Sequence, residues 1–208
     1  HNGDGPYDVS KILAADPDAL AKPDSPLWGP IGAYHYWAEP LFGYYQSDDP
    51  WVLRRHVVML ADAGIDVLII DATNALTYRD KYEALCEVIQ KVHASGGQTP
   101  QIAFMLNTQA RQTARKLFDD LYKPGRYRDC WFFWRGKPLM ICDPEQAEPD
   151  LREFFTLRRA HWPFEMVNTR NAWHWEATYP QPYSYTDDPA VPGAPPNQVA
   201  PDELNELE

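Results

Sequence analysis

Cysteine is scarce in this chain and basic charge is short: three cysteines, and 19 Lys+Arg against 30 Asp+Glu, for a formal net charge of -11. Cys86, Cys130 and Cys142 are an odd number with no C-x-x-C spacing, which excludes a disulfide framework and the common zinc and redox motifs. Each stands among apolar neighbours, as a small buried hydrophobe does. The acidic balance argues against nucleic acid as a partner, because a phosphate backbone needs a basic face. No apolar run approaches about 18 residues, so no membrane span is expected. G-x-G-x-x-G, G-x-S-x-G and H-E-x-x-H are all missing, which removes the usual dinucleotide, serine-nucleophile and zinc-peptidase signatures. His35, Asp71, His174 and Glu176 are metal-ligating types, but none has paired-ligand spacing, so neither a metal nor a cofactor is expected.

Proline and large aromatics are plentiful. The chain has 20 prolines in 208 residues, about twice the usual ~5%. It also has eight Trp, twelve Tyr and eight Phe. Amphipathic rings in that number suit a surface for flat, hydroxylated ligands, with burial in a core as the plainer reading. A hydrophobic fraction of 44% is too high for a disordered chain. The length fits one domain of ordinary size or a piece of a larger one.

Order is concentrated in the middle. Seven prolines fall in residues 1–50, an irregular region with room for one short helix over Val9–Ala15. Seven more fall in 179–208, and residues 187–208 hold six acids and no Lys or Arg, so 179–208 reads as a proline-rich acidic extended segment. Between them the pattern is regular. Asp48 or Asp49 offers a helix N-cap, Pro50 suits the first turn, and Val52, His56, Met59, Leu60 and Ala63 form a stripe that ends at Gly64. The apolar run Ile65–Ile70 follows, which reads as a strand buried on both faces. Further helices are expected over 80–95, 108–122 and 150–161. Further strands are expected at 101–106, 138–142 and 164–168, with 130–134 and 138–142 flanking a hairpin-like Arg135-Gly136-Lys137. Trp131 and Trp134 should straddle the sheet, since strand residues alternate faces.

This alternation means βα units and a parallel α/β sheet, which an open doubly wound sheet or a closed (β/α)8 barrel both satisfy. The strands are followed by Asp71-Ala72-Thr73-Asn74, Asn107-Thr108, Asp143 and Asn168-Thr169-Arg170-Asn171. Short polar side chains at C-terminal strand ends are what a TIM barrel with a sugar-type site presents. Four to five βα units are visible where eight are needed, so an incomplete barrel over 1–178 is the expectation.

The run Trp28-Gly29-Pro30-Ile31-Gly32-Ala33-Tyr34-His35-Tyr36-Trp37-Ala38-Glu39-Pro40-Leu41-Phe42-Gly43-Tyr44-Tyr45 resembles bacterial glycoside hydrolases of the family 71/99-like, endo-α-mannosidase-like TIM-barrel type. So does the continuation from Asp49-Pro50-Trp51 through Met59-Leu60-Ala61-Asp62-Ala63-Gly64-Ile65-Asp66-Val67 to Asp71-Ala72-Thr73-Asn74. The resemblance implies a secreted or periplasmic enzyme of glycan breakdown. It also implies that this chain is an internal piece, with a first strand before His1 and later strands beyond Glu208. Members carry two closely spaced glutamates in a Trp-His-Glu context. Trp173-His174-Trp175-Glu176 supplies one, and no second acid follows within ten residues. That departure leaves the family's substrate and stereochemistry open here.

Glycoside hydrolysis needs two carboxyl groups flanking the bond. Asp71 ends a strand, with a helix cap or loop anchor as its plainer role. Glu176 follows the last strand among aromatics that could desolvate it. Glu39, held before Pro40, could reach a sugar or serve only its loop. Trp37 and Trp173 suit stacking on a sugar ring, and His35, Asn74, Asn107 and His174 suit its hydroxyls. The leading expectation is a glycoside hydrolase that needs no cofactor. The alternatives are a non-catalytic carbohydrate-binding module, an inactive barrel fragment or a structural interaction domain. Sugar, linkage and oligomeric state are not written in these residues.

Overall fold

The computed structural model describes residues 7–36, 40–161 and 172–174. The expected strand over 164–168 and the segment 179–208 lie outside them. Chain contacts divide the protein into two units, His1–Val52 and Leu53–Glu208.

In the first unit, β1 (Tyr7–Asp8) leads directly into α1 (Val9–Ala15), the short helix expected there. The Asp8 carboxylate caps α1, accepting from the Ser10 N–H at 2.9 Å and the Ser10 hydroxyl at 2.5 Å. Val9 and Ile12 are the buried residues of this helix. Parallel to β1 runs β2 (His35–Tyr36), with Tyr7 opposite His35. Two 3-10 turns, Ala19–Ala21 and Pro26–Trp28, complete the unit's regular structure, and the Trp28 indole N–H reaches the carbonyls of Ala19 and Lys22 at 3.3 and 3.1 Å.

Helix α2 (Pro50–Asp62) begins and ends where the sequence says. Asp49 Oδ1 accepts from the N–H groups of Trp51 and Val52 at 2.9 and 3.2 Å. At the other end Gly64 has φ +83°, the left-handed value that glycine adopts without strain. Its N–H bonds the Ala61 carbonyl while Ile65 N–H bonds that of Leu60, a closed Schellman turn. The buried stripe differs from the expected one. Val57 is fully buried, with Leu53 and Val58 packed beside it, whereas Met59 is 48% exposed. Spacing at i and i+4 (Leu53, Val57) sets this face, and Met59, two residues past Val57, falls about 200° around the helix from it, on the opposite side.

The second unit is built on β3 (Val67–Ala72), β4 (Gln101–Leu106), β6 (Lys137–Ile141), β7 (Thr156–His161) and β8 (Ala172–His174), hydrogen-bonded in that order and all parallel. A short β5 (Phe133–Trp134) pairs antiparallel with β6. The loop between them is Arg135-Gly136, both at positive φ (55° and 81°), the geometry of a two-residue hairpin turn. Helices α3 (Arg79–Ala94), α4 (Ala110–Leu117) and α5 (Pro149–Phe154) fill the crossovers. A π-helical turn, Phe118–Tyr122, extends α4 over the stretch expected to be one helix.

A further expectation fails. The run 150–161 was expected to be a single helix, but the helix stops at Phe154, Phe155 is extended (φ -98°, ψ 153°), and Thr156–His161 is a strand. Leu, Arg and Ala in this run favour a helix by propensity. The neighbouring edge of β6 overrides that preference, pairing Leu139, Met140 and Ile141 with Thr156, Leu157 and Arg158.

Strand order equals chain order, so every crossover steps the same way. Right-handed crossovers then lay all the helices on one face. Accordingly Ile102, Phe104, Leu106, Met140 and Cys142 pack with Tyr82, Cys86, Ile89, Leu117 and Leu151 from the helices. The alternate strand residues Ala103, Met105, Leu139, Ile141 and Ala160, joined by Val67 and Ile69, form a separate apolar cluster that contains no helix residue. Trp131 and Trp134 straddle the sheet as expected. Trp131, 1% exposed, sits on the helix side 4.7 Å from the Tyr122 ring, and Trp134 joins the helix-free cluster, stacked on Phe132 at 6.1 Å.

All three cysteines are buried thiols. The hydrogen bond with the neighbouring Cys130 thiol, and then burial, raise the pKa of Cys86, while burial pushes Cys142 up to about 12. Groups held so firmly in the thiol form are poor nucleophiles. Among the described residues no helix is long and apolar enough to cross a membrane.

Candidate functional site at the carboxyl ends of the strands

Register sorts the helix-free face into rows. Ile69, Ala103, Leu139 and Thr156 form one row across β3, β4, β6 and β7. Two residues further along the strands the row is Asp71, Met105, Ile141 and Arg158. Beyond the ladders, at the next step, come Asn107 after Met105 and Asp143 after Ile141. The face is therefore apolar at its base and polar at the carboxyl ends, the end where parallel α/β sheets bind ligands.

The polar end is tied together by backbone. Thr108 N–H donates to the Thr73 carbonyl at 2.8 Å, linking the loops after β3 and β4. Cys142 N–H donates to the Arg158 carbonyl at 2.7 Å, linking β6 to β7. Two aspartates are held in the same manner. Asp71 Oδ1 accepts from the Thr73 N–H at 2.8 Å, and Asp143 Oδ1 accepts from the Glu145 N–H at 3.0 Å. The Oδ2 atoms of both make no hydrogen bond among the described residues. Asp71 is exposed and Asp143 half-buried.

Arg158 lies in the Asp71 row and is 7% exposed. Its guanidinium donates to the Leu157 carbonyl at 3.0 Å. A guanidinium stays charged under all ordinary conditions, so the floor of this end carries a fixed positive charge. Its alignment with Asp71 was hidden from sequence, because 150–161 reads as a helix, and in a helix position 158 belongs to no sheet row.

The other candidates divide. Asn107 is exposed at the end of β4. Asn74 is bound into its own loop, its amide donating to the Tyr78 hydroxyl at 2.7 Å and its Oδ1 accepting from the Leu76 N–H at 3.3 Å. In β8, Trp173 aligns with Ala160 and His174 with His161, which puts both at the carboxyl end of the sheet. His35 belongs to the first unit. Its Nε2 is 2.8 Å from the Trp28 carbonyl, which fixes the proton on that nitrogen, and its ring lies 5.5 Å from Trp28 and 5.7 Å from Tyr7. Trp37, Glu39 and Glu176 lie outside the described residues.

A different charged cluster lies on the helix side. Arg115 of α4 binds Glu148, Asp150 at 2.6 Å and Asp119 at 3.8 Å. The Arg115 guanidinium holds the Asp150 carboxyl below its ordinary pKa. These carboxylates are engaged in joining α4 to the start of α5.

Compared with protein families, characterised proteins and solved structures, the chain matches none of them.

Proposed function

We propose that this chain is part of a secreted or periplasmic glycoside hydrolase of the (β/α)8-barrel type, acting on a polysaccharide or glycan at the carboxyl ends of its strands. The observation that supports it most is the pairing of a sheet wound in one direction, with its described crossover helices on one face, with a carboxylate, Asp71, at a strand end of the other face. A sheet wound this way buries its second face by curling on itself, which leaves the polar rim as the mouth of a cleft. Asp71 serves as one of the two carboxyl groups, and Glu176 is the acid that sequence adds in the same unit. Asn107 and His174 meet sugar hydroxyls, with Trp173 as a stacking surface.

The test is cleavage of a glycan panel by the full protein, with Asp71→Asn as the first variant. Loss of a general acid or base lowers turnover by about 10²–10⁴-fold. Asn keeps the acceptor for the Thr73 N–H, so a fall of that size in a folded variant belongs to chemistry. Unchanged turnover in Asp71→Asn leaves the aspartate as a loop anchor and removes it from the catalytic pair. Glycan binding that survives Asp71→Asn and Glu176→Gln but disappears in Trp173→Ala, with no cleavage by the unaltered protein, identifies a binding module instead.

A further inference from the structure

We propose that Asp143 is the second carboxylate of this site, acting with Asp71 at the carboxyl ends of the strands, with Arg158 on the next strand beyond it; the proposal rests on the glycosidase reading above. Asp71 and Asp143 stand at the carboxyl ends of β3 and β6, two residues beyond Ile69 and Ile141 of the helix-free cluster respectively. Each is fixed through Oδ1, which accepts from the N–H two residues ahead, and neither Oδ2 makes a hydrogen bond among the described residues. Nearby acids on the other face, Glu148 and Asp150, are engaged by Arg115. Beneath Asp143 and on its far side from Asp71 the face changes character. Leu139 and Ile141 are completely buried apolar residues, and the next strand brings in the buried guanidinium of Arg158. A cation in that position costs desolvation that an apolar side chain would avoid.

Register gives the separation. From β3 to β6 there are two strand spacings through β4, about 10 Å, and Asp143 stands two residues, about 6.6 Å, above the Asp71 row. The backbone separation is then about 12 Å, nearer to the about 6.5–9.5 Å between the carboxyls of an inverting pair than to the about 5–5.5 Å of a retaining pair. One protonated carboxyl gives its proton to the glycosidic oxygen as the bond from that oxygen to the anomeric carbon breaks. The other, ionised, takes a proton from the water whose oxygen bonds to the anomeric carbon from the opposite side. One water is consumed, and exchange with solvent returns both carboxyls to their starting states.

The experiment uses the full protein and a glycan that it cleaves. Asp143→Asn retains the acceptor for the Glu145 N–H, so the turn persists, and a thermal melt verifies the fold. The expected result is a fall in kcat of about 10²–10⁴-fold, with loss of one limb of the pH–rate profile. Proton NMR of the unaltered enzyme's first product should show the inverted anomer. A folded Asp143→Asn with kcat within about threefold of the unaltered protein, well short of the loss expected for a general acid or base, overturns the proposal while the glycosidase reading stands. So does a product of retained configuration. If the unaltered protein cleaves nothing in the panel, the glycosidase reading falls and this assignment falls with it.

Discussion

Tyr82 and Tyr122 stand in the helix-side core, each 2% exposed, with hydroxyl oxygens that reach no hydrogen-bond partner among the described residues. Their rings are well used: both meet Phe104 edge to face, at 5.4 and 6.4 Å. An unsatisfied buried hydroxyl costs about 1–3 kcal/mol. Tyr82→Phe and Tyr122→Phe remove that cost and keep the ring contacts. Each should therefore stabilise the fold by about 1 kcal/mol, at the lower end because the ring must also settle into the space the oxygen leaves. For a domain of about 150–250 residues this raises Tm by about 2–4 °C. Urea denaturation should show a higher midpoint at unchanged slope. An alkaline arm follows from the same burial, which pushes the Tyr82 pKa from 10.0 up to about 12 and raises that of Tyr122. Because the folded-state pKa lies above the unfolded one, the stability linked to Tyr82 is complete below pH 10 and is lost as pH rises toward about 12. Tyr82→Phe should flatten that alkaline decline. A loss of about 1 kcal/mol or more in both variants would refute the reasoning, since it is the cost of breaking a hydrogen bond that these hydroxyls are argued not to make.

Trp131→Ala should cost about 3–5 kcal/mol in urea unfolding, because its ring is 1% exposed and its indole N–H donates to the Arg126 carbonyl at 3.0 Å. Gly64→Ala should cost about 1–2 kcal/mol from left-handed backbone strain alone, since a Cβ there meets nothing within 4 Å; a neutral result in the same assay would mean that the helix end rearranges. Arg115→Met should lower stability at neutral pH by loosening α4 from α5. The Asp150 pKa is depressed by Arg115, so its contribution is present above the ordinary aspartate value and lost as pH falls through the depressed one. The gap between variant and parent should therefore close in acid, as measured by urea midpoints from neutral pH downward.

What sequence revealed and what it hid have separable causes. Local signals were sufficient where one element settles its own ends. Asp49, Pro50 and Gly64 bounded α2, and Gly96 and Gly97 closed α3 through bonds to His93 and Val92. Alternation alone sent Trp131 and Trp134 to opposite faces. Periodicity misled where the deciding partner is distant in sequence. Thr156–His161 reads as the end of a helix until the edge of β6 claims it, and that error concealed Arg158. Of the site, Asp71 and Asn107 were legible because they follow strands with clear apolar runs. Asp143 was visible as a polar strand end, but its match to Asp71 required the register of two intervening ladders. Asn74 looked equally available from sequence, and only the hydrogen bond to Tyr78 shows that its amide is occupied.

The rows of the helix-free face separate two tasks along the same strands. Ile69, Ala103 and Leu139 near the base make no contribution that a polar ligand could use, and Ala103 and Leu139 are fully buried. One row further on, Asp71 and Arg158 share that face with Met105 and Ile141, so two charged residues flank two apolar ones across the row. Truncating Leu139 to Ala removes buried apolar volume and should cost about 2–5 kcal/mol. Changing Asp71 or Asp143 to Asn alters only charge at a rim where Oδ1 keeps its backbone donor, and surface changes of that kind usually stay within about 0.5 kcal/mol. Stability and chemistry are thus expected to respond to different rows of one strand, and β6 carries both in Leu139 and, two residues past its last, Asp143. Measured side by side, Leu139→Ala should unfold early while retaining the specific activity of its folded fraction, and Asp143→Asn should melt like its parent and turn over slowly.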